Sequence, residues 1–257
     1  MTVLRPDEKL PVYLMAAPIG DHITDISIAV TRLIGQLEML IVENIGTVGE
    51  DDLIGRLRSK GIVGAGQQLV GLSGLDHHEV CPPCVDQFVL ARKSFGMIAD
   101  KGLCCFVDPG RSVVRHLLDH YADTVELVPV GASSAMDAAI MISGVNCTNF
   151  VFMGHYPESH QWFPEMVKGG VPTIAYVRGD SLKAFWLAVR QQFGSDGALC
   201  LSVFKNLRAR LRTAQECFML TDTPECIDAI AEPLKTPEKD SCDNFVVILH
   251  RHWNSET

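Results

Sequence analysis

No stretch of this sequence is both long enough and apolar enough to cross a bilayer. The longest mostly apolar run, Gly131 to Val145, is too short for that and carries Asp137. An apolar leader is missing as well. Met1 to Leu10 is polar and charged with no apolar segment behind it, so neither a signal peptide nor a membrane product is expected. The nine cysteines are an odd number, which does not suit a secreted disulfide framework. Reduced thiols in a cytoplasm are the simpler account. Positive charge is also scarce: 22 Lys and Arg stand against 31 Asp and Glu, for a formal net charge of -9. That balance opposes binding to nucleic acid, which needs clustered Lys and Arg, although a local basic face can survive a negative total. Internal repeats and low-complexity segments are absent too.

What remains is an ordinary globular composition, 47% hydrophobic and 21% charged over 257 residues, enough for two modest domains each with a core. Residues 12–16 (VYLMA) read as a buried strand, followed by the Gly/Pro loop APIGDH. Helical spacing over ISIAVTRLIGQL predicts a helix with Asp25 as its N-cap. Met39 to Val42 form a second strand ending at Glu43 and Asn44, and a Gly-rich stretch runs from Gly61 to Gly74. A helix is expected around Val85 to Lys93, a strand at Phe95 to Ile98, and then the loop ADKGLCCFVDPG. Asp108-Pro109-Gly110 looks like a helix start, with Asp108 as cap and Pro109 first, leading a helix over Arg111 to Tyr121 and a strand at Val125 to Val128.

The second half predicts strands at 150–153, 173–177, 198–203, 216–220 and 245–249, with helices at 181–192 and 225–231. Strand and helix alternate throughout, which argues for an α/β fold on parallel, helix-covered sheets. The junction between two αβα domains is expected near Pro129, where a strand gives way to VGASSA. This sets limits of 10–128 and 129–252.

Ligands of open α/β sheets bind at the carboxyl ends of strands. Three small-residue loops fall there: APIGDH, ADKGLCC and VGASSA. Small residues let backbone approach a ligand closely. Taken alone, each loop reads better as an ordinary βα turn. Their order says more: Ala17-Pro18-Ile19-Gly20-Asp21 with Asp25-Ile26-Ser27, then Glu43-Asn44-Ile45-Gly46, then Ala99-Asp100-Lys101-Gly102 running to Asp108-Pro109-Gly110. The Ser/Ala segment closing at Ser143-Gly144 and Phe152-Met153-Gly154-His155-Tyr156-Pro157 complete the series.

This series resembles the tetrapyrrole methylase superfamily, above all its branch of small-subunit ribosomal RNA ribose methyltransferases and their uncharacterised relatives. The corresponding patterns there are TPIGN-x-x-DIT, EDTR, SDAGTP-x-x-SDPG and F-x-GF-x-P, and the likeness runs from about Val12 to Pro157. It implies a homodimer of two α/β domains that binds S-adenosylmethionine in a cleft between them. Carried over by position, the cofactor contacts are Pro18 and Ile19; Lys101, Gly102 and Leu103, with Phe106 behind them; and Ser133, Ser134 and Ala135. Lys101 stands where Ala is usual and Cys104 where Pro is usual, and the Arg of EDTR is missing. The second-half basic motifs are thin, at Arg178 and Lys205 to Arg212. These departures bear on an RNA substrate more than on the cofactor.

Methyl transfer is an in-line displacement at a methyl group activated by positive sulfur, so the protein must position, exclude water and remove one proton. Metal is not required. The candidate bases are His77, His78, Glu43 and Asp100, with solvated loop histidines as the plainer account of the first two. The acceptor implied by the resemblance is a ribose hydroxyl of ribosomal RNA in the small subunit. A tetrapyrrole carbon, a peptide amide, or a catalytically silent cofactor-binding or interaction protein stay open beside it.

Other features weigh less. Cys81 and Cys84, after His77 and His78, have the spacing of half a zinc site, but no second pair stands elsewhere, and an inert thiol pair explains them better. Cys104-Cys105 read as small packing residues. Gly64-Ala65-Gly66 lacks the preceding strand of a dinucleotide site, and Arg208, Arg210 and Arg212 alternate like a solvated strand face.

Overall fold

The computed structural model describes residues 8–19, 22–45, 52–72, 81–106, 110–156, 171–193, 199–205, 214–219 and 244–251. The chain forms two compact units, Met1–Gly144 and Val145–Thr257.

The first unit is built on five strands: β1 (Leu10–Met15), β2 (Met39–Val42), β3 (Gln68–Gly71), β4 (Phe95–Ile98) and β5 (Val125–Val130). Their order in the sheet is β3-β2-β4-β1-β5, and all four pairings are parallel. The short apolar runs of β2 and β4 are buried at every position, as strands covered on both faces must be. Helices α1 (Ile28–Ile34) and α2 (Leu53–Ser59) close one face, where Val30, Ile34, Leu53, Ile54 and Leu57 pack with Met15, Leu40, Val42 and Ile98. On the opposite face α3 (Cys84–Leu90) brings Phe88 edge-on to Phe95, with ring centroids 6.3 Å apart. Helix α4 (Arg111–Tyr121) buries Val113, Val114 and Leu117. Helix α5 (Ala135–Ser143) packs on β5 and α4, so the first unit takes in the Ser/Ala segment as well as β5.

Local capping differs from the expectations in two places. Ser27, not Asp25, caps α1: its hydroxyl accepts from the Ala29 N–H, while Asp25 ends a short 3-10 turn. At α4 the N-cap position belongs to Gly110, at φ 123°, which has no side chain with which to cap the helix. The expected cap, Asp108, is therefore two residues too early, and Asp108 and Pro109 themselves lie outside the described residues. The Gly-rich stretch also hides a strand, β3, and α2 went unread before it. Gln67 ties that region down, since its Nε2 donates to the carbonyls of Ile34 and Leu37 at 2.6 and 2.7 Å and its Oε1 accepts from the Gly64 N–H.

The second unit holds β6 (Val151–Tyr156), β7 (Thr173–Arg178), β8 (Leu199–Lys205), β9 (Ala214–Met219) and β10 (Asn244–Arg251), in the order β6-β7-β10-β8-β9. Among the described strands of this unit only β6 and β7 pair in parallel; β10 runs antiparallel to both β7 and β8, and β8 to β9. The expectation of parallel sheets throughout is corrected here. Helix α6 (Leu182–Phe193) buries Leu182, Phe185, Trp186 and Val189 against Ala175, Val177, Leu201, Val203, Phe245 and Val247 on one face of this sheet. The helix expected at 225–231 lies outside the described residues.

Candidate functional site

Strand order decides where a ligand can enter the first sheet. From β1 the chain crosses towards β2 on one side, and from β4 it crosses to β5 on the other, yet β1 and β4 are neighbours. Their following helices, α1 and α4, therefore leave in opposite directions, and the carboxyl ends of these two strands mark the switch point at which open α/β sheets take ligands. The loops that leave those ends are Ala16–Ile19 and Asp100–Phe106. They are joined directly: the Ala17 N–H donates to the Gly102 carbonyl at 2.8 Å, and Ala16 and Leu103 form an isolated antiparallel bridge.

The third loop meets the first. The Ala16 N–H donates to the Val130 carbonyl at 2.9 Å. At Gly131 a side chain would sit 3.0 Å from Val30 Cγ2, 3.5 Å from Ala16 Cβ and 3.6 Å from Ser27 Cβ, so this turn can lie against α1 and the first loop only as glycine. Past it, Ser134 caps α5 in a reciprocal arrangement: its hydroxyl accepts from the Asp137 N–H, and the Asp137 carboxylate accepts from the Ser134 N–H, both at 3.1 Å.

The end of β2 adds polar groups to the same edge. Glu43 Oε2 accepts from the Asp100 N–H at 3.0 Å, and Asn44 Nδ2 donates to Asp100 Oδ2 at 2.7 Å. Both carboxylates named as candidate bases are thus engaged in holding the loop after β4. Asn44 escaped the sequence reading. Its one available signal was that it stands where the EDTR pattern has an acid.

The carboxyl edge therefore brings together Glu43, Asp100, Lys101, Gly102, Leu103, Phe106, Pro18 and Ile19, with Ser133, Ser134 and Ala135 on the adjoining loop after β5. Pro18 is buried, whereas Ile19 is 84% exposed, and Lys101 and Ser133 are exposed too. Cys104 and Cys105 are buried beneath the loop. His77 and His78 lie outside the described residues, as do Arg208, Arg210 and Arg212. Arg178 is paired with Asp180 at 2.7 Å.

Away from this edge, α3 and α4 share a second polar group. Asp86 Oδ1 accepts from the Tyr121 hydroxyl at 2.9 Å and lies 2.6 Å from His116 Nε2. The His116 contact holds the Asp86 carboxyl below the usual range. Burial, and then the neighbouring Asp86, pushes the Cys81 thiol up to about 12, which keeps it protonated and a poor nucleophile at neutral pH. Among the described residues no three His, Cys, Asp or Glu side chains are grouped to hold a metal ion, and no helix is long and apolar enough to cross a membrane.

Comparison with known proteins agrees with the resemblance read from the motifs. No family model matches the chain. A curated relative, Ribosomal RNA small subunit methyltransferase I of Neisseria meningitidis serogroup B, is 24% identical over 173 residues, 64% of this chain and 54% of the relative. The chain thus spans about half the length of the curated relative it matches. Among solved structures, a cobalamin biosynthetic enzyme, cobalt precorrin-4 methyltransferase, is 11% identical with a TM-score of 0.35, covering 98% of both chains. Uroporphyrin-III-C-methyltransferase from Thermus thermophilus is 13% identical with a TM-score of 0.30, covering 93% of this chain and 94% of its own.

Proposed function

We propose that this protein is an S-adenosylmethionine-dependent methyltransferase of the tetrapyrrole methylase type, with its cofactor bound at the carboxyl edge of the first sheet. The observation that carries this reading is the hydrogen-bonded joining of the loops after β1 and β4 at the sheet's switch point. Those are the loops whose motifs resemble the family's cofactor loops, and the curated relative is named a methyltransferase.

The residues present fit such a cofactor. Small residues keep backbone amides and carbonyls within reach of a ligand, at Gly102 and at Ser133 to Ala135. Exposed Ile19 offers apolar cover for a flat ring system, and the two carboxylates of Glu43 and Asp100 suit a cationic ligand. Bound S-adenosylmethionine supplies a methyl group already activated by positive sulfur. The chain's own tasks are then to orient that ligand, keep water from it and take one proton from the acceptor. Glu43 and Asp100 are engaged in holding the loop, which leaves His77 and His78 as the proposed bases.

For the acceptor we favour ribosomal RNA of the small subunit, which the curated relative's name shares, at a ribose hydroxyl as the motif resemblance implies, and we place the activity in a cytoplasmic homodimer on that same resemblance. Calorimetry with S-adenosylmethionine and with its demethylated product tests the cofactor. One site per chain is expected, and absence of heat and of thermal shift at saturation would leave only the interaction-protein alternative. Labelled cofactor supplied to undermethylated small ribosomal subunits tests the acceptor, with loss of label expected on replacing His77 and His78 by Ala. Label entering only a small-molecule or peptide extract would retire RNA. Sedimentation at micromolar concentration tests the dimer.

A further inference from the structure

We infer that Asn44 is a positioning residue for the cofactor site: a neutral donor that holds Asp100, and through it the loop Asp100–Phe106, in the binding arrangement. This rests on the methyltransferase reading above. Strands β2 and β4 pair in register with Val42 opposite Ile98, and continuing that register two residues brings Asn44 opposite Asp100. Asp100 is then held twice, its backbone N–H by Glu43 Oε2 at 3.0 Å and its side chain by Asn44 Nδ2 at 2.7 Å. Two residues later the Gly102 carbonyl takes the hydrogen bond from Ala17 that closes the loop onto β1. All three side chains are half-buried, so water competes poorly for these bonds.

Charge explains why the donor must be neutral. Glu43 and Asp100 already bring two carboxylates to this corner. An acid at position 44 would put a third within hydrogen-bond distance of Asp100 Oδ2, and two carboxylates that close stay together only by sharing a proton. In the EDTR pattern the acid is accompanied by an arginine. Here Asn44 and Gly46 replace both, so the charge change is matched.

The test compares the whole chain with Asn44→Asp and Asn44→Ala, titrating S-adenosylmethionine by calorimetry from about pH 5 to about pH 8. In Asn44→Asp the shared proton raises the carboxyl pair's pKa, so the loop is held at low pH and released as pH rises through that raised value. Binding within about three-fold of wild type is expected at about pH 5 and at least about ten-fold weaker at about pH 8. Asn44→Ala loses affinity at every pH, with the wild-type profile shape. An added carboxylate acting through charge alone would do the reverse, tightening the cationic cofactor as pH rises. Tighter or unchanged binding of Asn44→Asp at high pH overturns the inference. Thermal unfolding of the variants without cofactor separates the two readings. Should wild type bind no S-adenosylmethionine, the methyltransferase reading falls and the positioning role falls with it. A melting temperature of Asn44→Asp that drops with pH would then still report the contact itself.

Discussion

Gly102 offers a way to separate the fold from the site. Its φ is +70°, and a Cβ built there would meet nothing within 4 Å. Gly61, just past α2, has nearly the same backbone, φ +68°, and the same open surroundings. Alanine at either position must hold a left-handed conformation, which costs about 1–2 kcal/mol. At about 2–4 °C for each kcal/mol in a chain of this size, both variants should melt about 2–8 °C below wild type, and by similar amounts. Their positions differ in one respect. Gly61 follows a helix and precedes β3, at the amino end of that strand, while Gly102 lies on the carboxyl edge and presents its carbonyl to Ala17. Gly102→Ala should therefore weaken S-adenosylmethionine binding at least about ten-fold, equivalent to about 1.4 kcal/mol, and Gly61→Ala should leave it unchanged. Paired thermal melts and calorimetry on the two variants decide the matter. Equal binding by both, or equal loss in both, would refute the placement of the cofactor on this edge.

Replacing Ser134 by Ala removes the hydroxyl that caps α5 and should cost about 1 kcal/mol, read as a lower urea midpoint, with Ser134→Asn largely restoring it. Asp86 is held below the usual carboxylate range by His116, so its contribution is present above its unfolded pKa and is lost as pH falls through the lower folded value. Asp86→Asn should flatten the acid end of the stability profile, and an unaltered acid limb would count against the contact. Cys81, with its thiol near 12, should react with a thiol reagent far more slowly at about pH 8 than an ordinary cysteine, and its rate should keep rising with pH beyond about pH 9. Mass mapping of the modified peptide checks this, and fast labelling of Cys81 at neutral pH would show the thiol to be exposed.

The first sheet was legible because its strands are short, buried on both faces and separated by helices. MLIV at 39–42 and FGMI at 95–98 coincide with β2 and β4 to the residue. Where a strand lacks that signature the pattern fails. QLVG carries a polar first residue and no fully buried position, so β3 vanished into a run of glycines. In the second sheet the strands were found but not their directions. A run such as FVVIL is buried equally well between parallel or antiparallel neighbours, since burial depends on what covers the faces and direction depends on how the chain returns. β10 enters between β7 and β8, both earlier in the chain, and no local composition announces that insertion.

The candidate site divides along the same line. Each loop was marked by its own composition, because glycine, alanine and serine gather where backbone must come close. What joins the loops is a different kind of contact. Ala17 reaches Gly102, and Ala16 reaches Val130, through backbone N–H and C=O groups that every residue other than proline possesses. Such a bond leaves no trace in residue type, so three loops could be named while their meeting could not. The side-chain contacts at this edge should have been more visible, and Asn44 shows why they were not. Carboxylates at strand ends invite assignment as bases, and Glu43 and Asp100 were assigned so. An amide beside them invites no role until its 2.7 Å bond to Asp100 is seen. That bond also changes how the acids are understood. A carboxylate whose oxygens already accept from an amide, or from a neighbour's backbone N–H, has less of its acceptor capacity turned towards a substrate's proton. The same hydrogen bonds by which Glu43 and Asp100 hold the loop after β4 thus argue for seeking the base elsewhere.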